Sequence, residues 1–270
     1  MGATDIFRQT ASEHKSILCF GIDPDLFRIN AYSPSDGQTN RQIILGYFEP
    51  IVDLLLEEHS VSALKPNYAY FAQYGFDGLH ALKDLIERYK NRVPIIFDGK
   101  RGDIGKTCEA YSKEMYDFWD ADAVTISPYM GQDSIAPFLR ENRLVYVLCK
   151  TSNPSSSDFQ ELKSGREKLY EKVAKKAMEW DCGLVVGATS DSIKKIVKIT
   201  KGNTPFLIPG VGSQGGDLDM VMKAISKNPL IHRINASSSI AYAYQKSDLE
   251  PSKAALIEAE KLNETIRKYL

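Results

Sequence analysis

The sequence predicts a single α/β domain over residues 1–270, folded as a closed (β/α)₈ barrel, also called a TIM barrel. Eight apolar runs of strand length recur along the 270-residue chain, and helix-period segments separate them. No G-x-G-x-x-G follows any strand, which disfavours the competing architecture, an open doubly wound sheet. No linker rich in Pro, Ser or Gly divides the chain, so one barrel is favoured over two small domains.

The predicted elements follow one another in the order that a barrel requires. Short runs rich in Val, Ile, Leu and Phe predict buried strands, and apolar residues repeating every three to four positions predict helices packed on them. The predicted strands are 17–22, 61–64, 93–97, 123–126, 144–149, 184–186, 206–208 and 230–234. The predicted helices include 43–58, 79–89, 106–119, 166–180, 192–200 and the final amphipathic segment 251–269.

Composition excludes several kinds of partner. The chain has 34 Lys and Arg against 35 Asp and Glu, so its net charge of -1 gives no electrostatic reason to expect nucleic acid or a membrane surface. No apolar run of membrane-spanning length and no signal-like N-terminus occur, so we expect a soluble, cytoplasmic protein. The cysteines (Cys19, Cys108, Cys149 and Cys182) and the four histidines lack metal-ligand or disulfide-framework spacing, so we expect no metal.

Polar residues follow the predicted strands, at the barrel face where active sites lie. They are Asp23, Lys65, Asp98, Lys100, Ser127, 151–153, 187–189, 209–216 and 235–239. Asp98 and Lys100 follow an apolar run directly and alternate, so both side chains should point to one side. An arbitrary D-x-K pair is more often a structural ion pair. Here its position at the end of a strand favours a catalytic role.

The segment after the seventh predicted strand is rich in glycine. Gly210, Gly212, Gly215 and Gly216 fall within seven residues, and Gln214 lies among them with donor groups of its own. Turns that need positive φ account for one or two of these glycines. Backbone N–H groups that approach an anion closely account for all four, so a phosphate site is favoured.

Three motifs together resemble the orotidine 5'-monophosphate decarboxylase family. They are D-G-K-R-G-D-I-G-K-T from Asp98, K-P-N from Lys65, and P-G-V-G-S-Q-G-G-D from Pro209. The resemblance runs from about Cys19 to about Tyr244 and is nearest to the longer-chain branch. It implies loss of CO₂ from C6 of orotidine monophosphate to give uridine monophosphate, the last step of de novo pyrimidine biosynthesis. It also implies a homodimer that uses neither metal nor organic cofactor.

The resemblance assigns roles to residues at matching positions. The implied catalytic array is Lys65, Asp98, Lys100 and Asp103, with Lys100 protonating C6. Asp103 and Thr107 would reach across the dimer interface into the partner's site. The implied substrate-binding residues are Asp23, Asn67, Thr107, Thr151, Ser152, Gly212, Gln214, Ser237 and Ser238. Asp23 would contact the ribose, Ser152 the pyrimidine edge and Gln214 the 5'-phosphate.

The chain departs from the family pattern at one position. Ser238 stands where the family usually has an arginine that holds the phosphate. A serine offers one hydroxyl where an arginine guanidinium would bind the phosphate with two parallel hydrogen bonds. The binding free energy of the phosphate should therefore weaken by about 2 kcal/mol. Compensation by Arg233 or by a lid residue, a deliberate substitution, or drift away from catalysis would each explain the difference. Arg233 lies inside a predicted strand and need not reach the mouth of the barrel.

Two other functions remain open at this stage. A magnesium-dependent sugar-phosphate lyase of the same superfamily shares D-x-K-x-x-D, but it typically has an acidic metal ligand near the position of Lys65. The other alternative is a catalytically silent nucleotide-phosphate binder, and the serine at position 238 is the only observation that favours it. The intact charged array weighs against it, because clustered charges are costly to bury.

Overall fold

The computed structural model describes residues 2–33, 36–188, 192–211 and 217–270. Within these residues eight parallel strands form a barrel with helices around it, as the sequence predicts. The strands are β1 (Leu18–Ile22), β2 (Ala63–Pro66), β3 (Ile96–Arg101), β4 (Ala123–Ile126), β5 (Leu144–Lys150), β6 (Gly183–Val186), β7 (Phe206–Pro209) and β8 (Arg233–Ala236). A short antiparallel hairpin, Lys163–Ser164 with Glu167–Lys168, lies outside the barrel.

Each strand pairs with its neighbours in chain order, and β8 returns to pair with β1. Between β2 and β3 the closure is looser and consists of parallel bridges from Leu64 to Ile95 and from Asn67 to Asp98. The Leu64 N–H also donates to the Pro94 carbonyl at 3.0 Å. The ring of strands therefore places all eight carboxyl ends on one face.

The helices are α1 (Asp5–His14), α2 (Leu26–Tyr32), α3 (Asn40–Glu57), α4 (Tyr68–Ala72), α5 (Gly75–Tyr89), α6 (Gly105–Lys113), α7 (Gln132–Ile135), α8 (Leu169–Glu179), α9 (Ser192–Thr200), α10 (Leu218–Ile225), α11 (Ser238–Ala241) and α12 (Pro251–Ile266). A π-helical turn, Glu114–Phe118, continues α6. The longest helix, α3, begins at a capping box formed by Thr39 and Gln42, and it packs against α5 and α12.

Alternation along the strands divides the barrel interior into two layers. The lower layer is apolar and contains Cys19, Ala63, Ile96, Ala123, Leu144, Tyr146, Val185 and Leu207, with Phe7 of α1 packed beneath. Two residues further along β2, β3 and β4 come Lys65, Asp98 and Thr125, which are buried and polar. Because side chains at i and i+2 share a face, the apolar layer supports the polar one directly.

Several strand boundaries predicted from the sequence are wrong. Strands β2 and β3 run to Pro66 and Arg101, so Lys65, Asp98 and Lys100 lie inside strands and not after them. Strand β8 begins at Arg233, because Pro229–Ile231 forms a 3₁₀ turn. The apolar runs underestimate strands that end in functional polar residues, since those residues break the hydrophobic pattern. Among the described residues, no helix is both long and apolar enough to cross a bilayer.

Candidate active site

A cavity of about 380 Å³ opens at the carboxyl ends of the barrel strands. Its lining includes, among the residues singled out from the sequence, Asp23, Lys65, Asn67, Asp98, Lys100, Thr151, Ser152, Ser237 and Ser238. These residues come from both halves of the sequence, and the closure of the barrel brings them together. A concave site with convergent polar groups at this face is the expected place for a small ligand.

Asp98 is the centre of the charged array. Its Oδ2 accepts a hydrogen bond from Lys65 Nζ at 2.7 Å, and its Oδ1 accepts one from Lys100 Nζ at 2.7 Å. The Thr125 hydroxyl donates to the same Oδ1 at 2.8 Å. The side chains of Lys65 and Asp98 are 5% and 6% exposed, whereas that of Lys100 is 47% exposed. Both lysines line the cavity, and Lys100 is the one more exposed to a ligand there.

The two lysines keep Asp98 ionised. Burial alone would raise the pKa of Asp98 and lower that of Lys65, because it disfavours the charged form of each. Lys65 and Lys100 outweigh burial at Asp98 and hold its pKa well below the usual range. Burial also opposes the charge of Lys65, but Asp98 and Asp23 raise its pKa above the ordinary lysine value. Asp98 and Lys65 thus form a buried pair of opposite charges near neutral pH.

Lys100 has an unusual backbone conformation. Its φ is +44°, in the left-handed region that costs about 1–2 kcal/mol for a residue with a side chain. The Thr125 hydroxyl holds this conformation by accepting from the Lys100 N–H at 3.0 Å. Strain of this kind persists where the surrounding structure fixes it, often at functional sites. Thr125 therefore positions both Asp98 and Lys100.

Two acceptor oxygens in the cavity lining have no hydrogen-bond partner within the described part of the chain. They are Asp23 Oδ1 and Asn235 Oδ1, and both atoms are buried. Buried polar atoms are nearly always hydrogen-bonded, so these two are suited to accept from hydroxyl groups of a ligand. Asn67, in contrast, uses its side-chain oxygen to cap α4 through the Ala69 N–H at 3.3 Å.

The loop after β5 is held by a residue that the sequence analysis did not single out. Gln160 accepts from the Thr151 N–H at 2.9 Å and donates to the Thr151 hydroxyl at 2.8 Å. On the other side, Gly187 lies so close to Ser152 that an added Cβ would meet the Ser152 backbone nitrogen at 2.9 Å. Thr151 and Ser152 are therefore fixed in the cavity wall.

The segment after β8 lies against β1. Ser237 Oγ accepts from Asn235 Nδ2 at 3.3 Å, and a Cβ on Gly21 would come within 1.9 Å of that hydroxyl. Tyr242 donates to the Asp23 carbonyl at 3.0 Å and so joins this segment to the loop after β1. Ser238 also lines the cavity.

Not every residue predicted for the site lies in the cavity of its own chain. Asp103 accepts from the Ile104 N–H at 2.8 Å and does not line the cavity, and Thr107 is exposed on α6. Gly212 and Gln214 lie outside the described residues, as do Gly215 and Gly216. The part of the glycine-rich segment that is described, Gly210, lines the cavity.

The hypothesis that Arg233 compensates for the serine at position 238 is wrong. The Arg233 side chain is fully buried beneath the site, where it donates to the Phe7, Leu230 and His232 carbonyls. Its guanidinium carbon lies 5.2 Å from the centre of the Phe7 ring, on the opposite side of the apolar layer. Arg28 lines the cavity instead, and no sequence pattern drew attention to it.

The described residues contain no group of three or more His, Cys, Asp and Glu side chains arranged to hold a metal ion. The charged groups at the centre of the cavity form a Lys–Asp–Lys array, in which the two lysine ammonium groups donate hydrogen bonds to one carboxylate. A barrel with such an array at the carboxyl ends of its strands defines a (β/α)₈ enzyme that acts on a small, polar ligand.

The particular family follows from comparison with known proteins. The model of the "Orotidine 5'-phosphate decarboxylase / HUMPS family" matches residues 18–248, which is most of the chain. The chain belongs to this family. A protein from Herpetosiphon aurantiacus named orotidine 5'-phosphate decarboxylase is 40% identical over 244 residues, which cover 88% of this chain and 88% of that protein. A relative of the same name from an Azoarcus species is 41% identical over 251 residues, 89% of this chain and 90% of that protein.

Solved structures agree with the family. The structure titled Leishmania donovani OMP decarboxylase is 32% identical with a TM-score of 0.82, covering 99% of this chain and 100% of that one. The structure of Leishmania donovani UMP synthase is 33% identical with a TM-score of 0.83, covering 98% of this chain. This chain spans 57% of the length of that UMP synthase.

Proposed function

We propose that this protein decarboxylates orotidine 5'-phosphate to uridine 5'-phosphate, with no metal or organic cofactor. The observation that carries the proposal is the position of Asp98, which holds Lys65 and Lys100 at 2.7 Å each while Lys100 stays open to the cavity. The family and its relatives named for this activity support it.

The proposed reaction uses Lys100 as the acid. The bond between C6 of the orotate ring and its carboxyl carbon breaks, CO₂ leaves, and the electron pair stays on C6. A fixed ammonium beside C6 stabilises that developing charge and then transfers a proton to it, which forms the C6–H bond of the product. Lys100 is half exposed, so it regains its proton from solvent.

The remaining residues orient the substrate in this proposal. The Asp23 carboxylate has a buried oxygen without a partner in the described chain and suits a ribose hydroxyl, with Lys65 and Asn67 nearby in the same lining. Ser152, on the loop that Gln160 holds through Thr151, suits the pyrimidine edge. Gly212, Gln214, Ser237 and Ser238 are proposed to surround the 5'-phosphate.

A homodimer completes the proposal. Asp103 does not line the cavity of its own chain, which agrees with a role in the partner's site, and Thr107 would accompany it. The loops after β3 and β4 are neighbours, since the Ser127 N–H donates to the Arg101 carbonyl at 2.8 Å. Both loops expose large apolar side chains, among them Ile104, Tyr129 and Met130. Such a patch suits a subunit interface.

We also propose a cytoplasmic location. All four cysteines are free thiols in buried positions. A reducing compartment keeps thiols in this state.

The test is the ultraviolet absorbance change of orotidine 5'-phosphate with purified protein and a chelator. We expect turnover with the wild-type chain and with Lys198→Ala, a control on the exposed face of α9. We expect none with Lys100→Ala, because the proton donor is missing. Absence of turnover in the wild-type chain would contradict the proposal and favour a silent nucleotide-phosphate binder. Turnover that the chelator stops would instead favour a magnesium-dependent enzyme.

A further inference from the structure

Phosphate groups bind most strongly where a guanidinium or ammonium group faces them, and the serine at position 238 does not supply one. Three cationic side chains line the cavity among the described residues, namely Arg28, Lys65 and Lys100. Lys65 and Lys100 are both bound to Asp98. Within the described chain Arg28 has no ion pair with a carboxylate, so its charge remains available to an anion.

Arg28 is held at the mouth of the cavity by the segment that follows β8. Its guanidinium carbon lies 3.8 Å from the centre of the Tyr242 ring, a stacking distance for a planar cation. Its Nη2 donates to Gln245 Oε1 at 2.5 Å, and its carbonyl accepts from the Tyr244 hydroxyl at 2.6 Å. Tyr242 in turn binds the loop after β1 through the Asp23 carbonyl. The Tyr242 ring, the Gln245 side chain and the Tyr244 hydroxyl thus contact Arg28 at three points and restrict where its guanidinium lies.

One carboxylate of the lining lies on the same helix turn as Arg28. Asp25 caps α2, and its Oδ1 accepts from the Phe27 N–H at 3.0 Å and from the Arg28 N–H at 3.3 Å. These two donors offset its charge locally, so the Arg28 guanidinium is not required to neutralise it. A guanidinium has five N–H donors in a planar fork, and the bond to Gln245 uses one of them.

We propose that Arg28 is the phosphate-binding cation of this enzyme, in place of the arginine that the family resemblance leads us to expect at position 238. The inference rests on the proposed function, since it concerns the phosphate of the same substrate. The Arg28 fork donates to the phosphate oxygens from the β1 side of the mouth, and the Ser238 hydroxyl adds a neutral hydrogen bond from the β8 side. The positive charge that faces the phosphate thus comes from the segment after β1 and not from the segment after β8.

The test compares binding of uridine 5'-phosphate and of uridine by titration calorimetry. In Arg28→Ala we expect affinity for the phosphate-bearing ligand to fall about tenfold to a hundredfold, as for loss of a charge-assisted hydrogen bond, while uridine binds as before. Phe27→Ala, the neighbouring exposed residue on α2, is the matched control and should change neither affinity. The double variant Arg28→Ala/Ser238→Arg should regain affinity for the phosphate-bearing ligand. Melting temperature and circular dichroism check that each variant is folded.

An unchanged affinity of Arg28→Ala for uridine 5'-phosphate would overturn the inference. An equal loss for both ligands would overturn it too, because Arg28 would then shape the site without recognising phosphate. The result is separable from the proposed function. Phosphate-dependent loss in Arg28→Ala without turnover in the wild-type chain would support the inference while the decarboxylase proposal fails. Wild-type KM for orotidine 5'-phosphate in Arg28→Ala would reject the inference while the activity stands.

Discussion

The Lys65 ammonium donates a 2.7 Å hydrogen bond to the Asp98 carboxylate, and both side chains are buried. A buried pair of this kind adds little net stability, because desolvation offsets much of the attraction between the charges. Removing one partner is much more harmful, since the other charge then stays buried without compensation. We therefore expect substitutions that remove the charge of Asp98 to destabilise the protein.

Asp98→Asn tests the cost of removing this charge. The substitution leaves Lys65 and Lys100 facing each other without the negative charge between them, so we expect the free energy of unfolding to fall by about 3 kcal/mol. We expect kcat to fall about a hundredfold or more, because the ammonium of Lys100 loses the group that positions it. Urea unfolding and steady-state kinetics measure the two effects.

The matched control for Asp98→Asn is Asp53→Asn. Asp53 accepts from Arg88 at 2.7 Å and Arg92 at 2.9 Å on the outside of the barrel. Surface ion pairs contribute about 0–1 kcal/mol, so this variant should keep its activity and nearly all of its stability. If Asp98→Asn kept wild-type turnover, no essential charge would reside at that position.

Thr125→Val tests the strained backbone at Lys100. The change keeps the shape of the side chain and removes one hydroxyl, which donates to Asp98 and accepts from the Lys100 N–H. We expect a loss of about 1–3 kcal/mol in unfolding free energy, because the Asp98 carboxylate loses a donor and a backbone N–H is left without its acceptor. We expect kcat to fall about tenfold, with a smaller change in KM.

Thr200→Val separates that effect from general destabilisation. Thr200 is also buried, and its hydroxyl donates to the Ile196 carbonyl at 3.0 Å within α9, away from the cavity. This variant should lose stability and keep its kcat. Equal kcat values for Thr125→Val and the wild type would show that the backbone conformation of Lys100 does not depend on Thr125.

Gly21→Ala tests the close contact between β1 and the segment after β8. The new methyl group would lie 1.9 Å from the Ser237 hydroxyl and 2.9 Å from its Cβ, so Ser237 must move. We expect about 1–3 kcal/mol of destabilisation from overpacking and a higher KM, because Ser237 lines the cavity. Gly46→Ala in α3 is the control, since nothing lies within 4 Å of its added Cβ. There the helix should gain about 0.5–1 kcal/mol. A wild-type KM in Gly21→Ala would mean that Ser237 does not bind substrate.

His232 makes the stability of the barrel dependent on pH. Burial is the main cause that lowers its pKa to about 3, with Arg233 adding to the effect, and its Nδ1 accepts from the Phe206 N–H at 3.1 Å. In the unfolded chain the pKa of a histidine is about 6.5, so below that value the unfolded state binds the extra proton. The stability from neutral His232 is therefore complete above about pH 6.5 and is lost as pH falls towards 3, by about 1.4 kcal/mol per unit.

The measurement is a series of urea unfolding curves between pH 7 and pH 4 on the wild type and on His232→Asn. The asparagine keeps an acceptor for the Phe206 N–H and does not titrate. The difference in unfolding free energy between the two proteins should therefore shrink as the pH falls. A constant difference across this range would show that His232 is not the group responsible.

The sequence predicted the barrel and much of the cavity lining because both follow from periodicity. Inward alternation placed Asp98 and Lys100 on one side, and the strand order brought Lys65 next to them. Thr125 escaped notice because a hydroxyl inside an apolar strand does not disturb the hydrophobic pattern. Arg28 escaped it because its position depends on stacking against Tyr242, which is remote in sequence. Contacts of that kind are set by tertiary packing, and no local pattern encodes them.

Mixing two inactive variants tests whether Asp103 acts across a dimer. Lys100→Ala removes the proposed proton donor and keeps Asp103, whereas Asp103→Ala removes Asp103 and keeps Lys100. If Asp103 serves the partner's site, a mixed dimer has one site with an intact Lys100 from one subunit and an intact Asp103 from the other. After denaturation and refolding together, roughly half of the dimers should be mixed, so about a quarter of the wild-type activity should return. If Asp103 served its own chain, no site in the mixture would be complete and activity would stay at the level of the single variants.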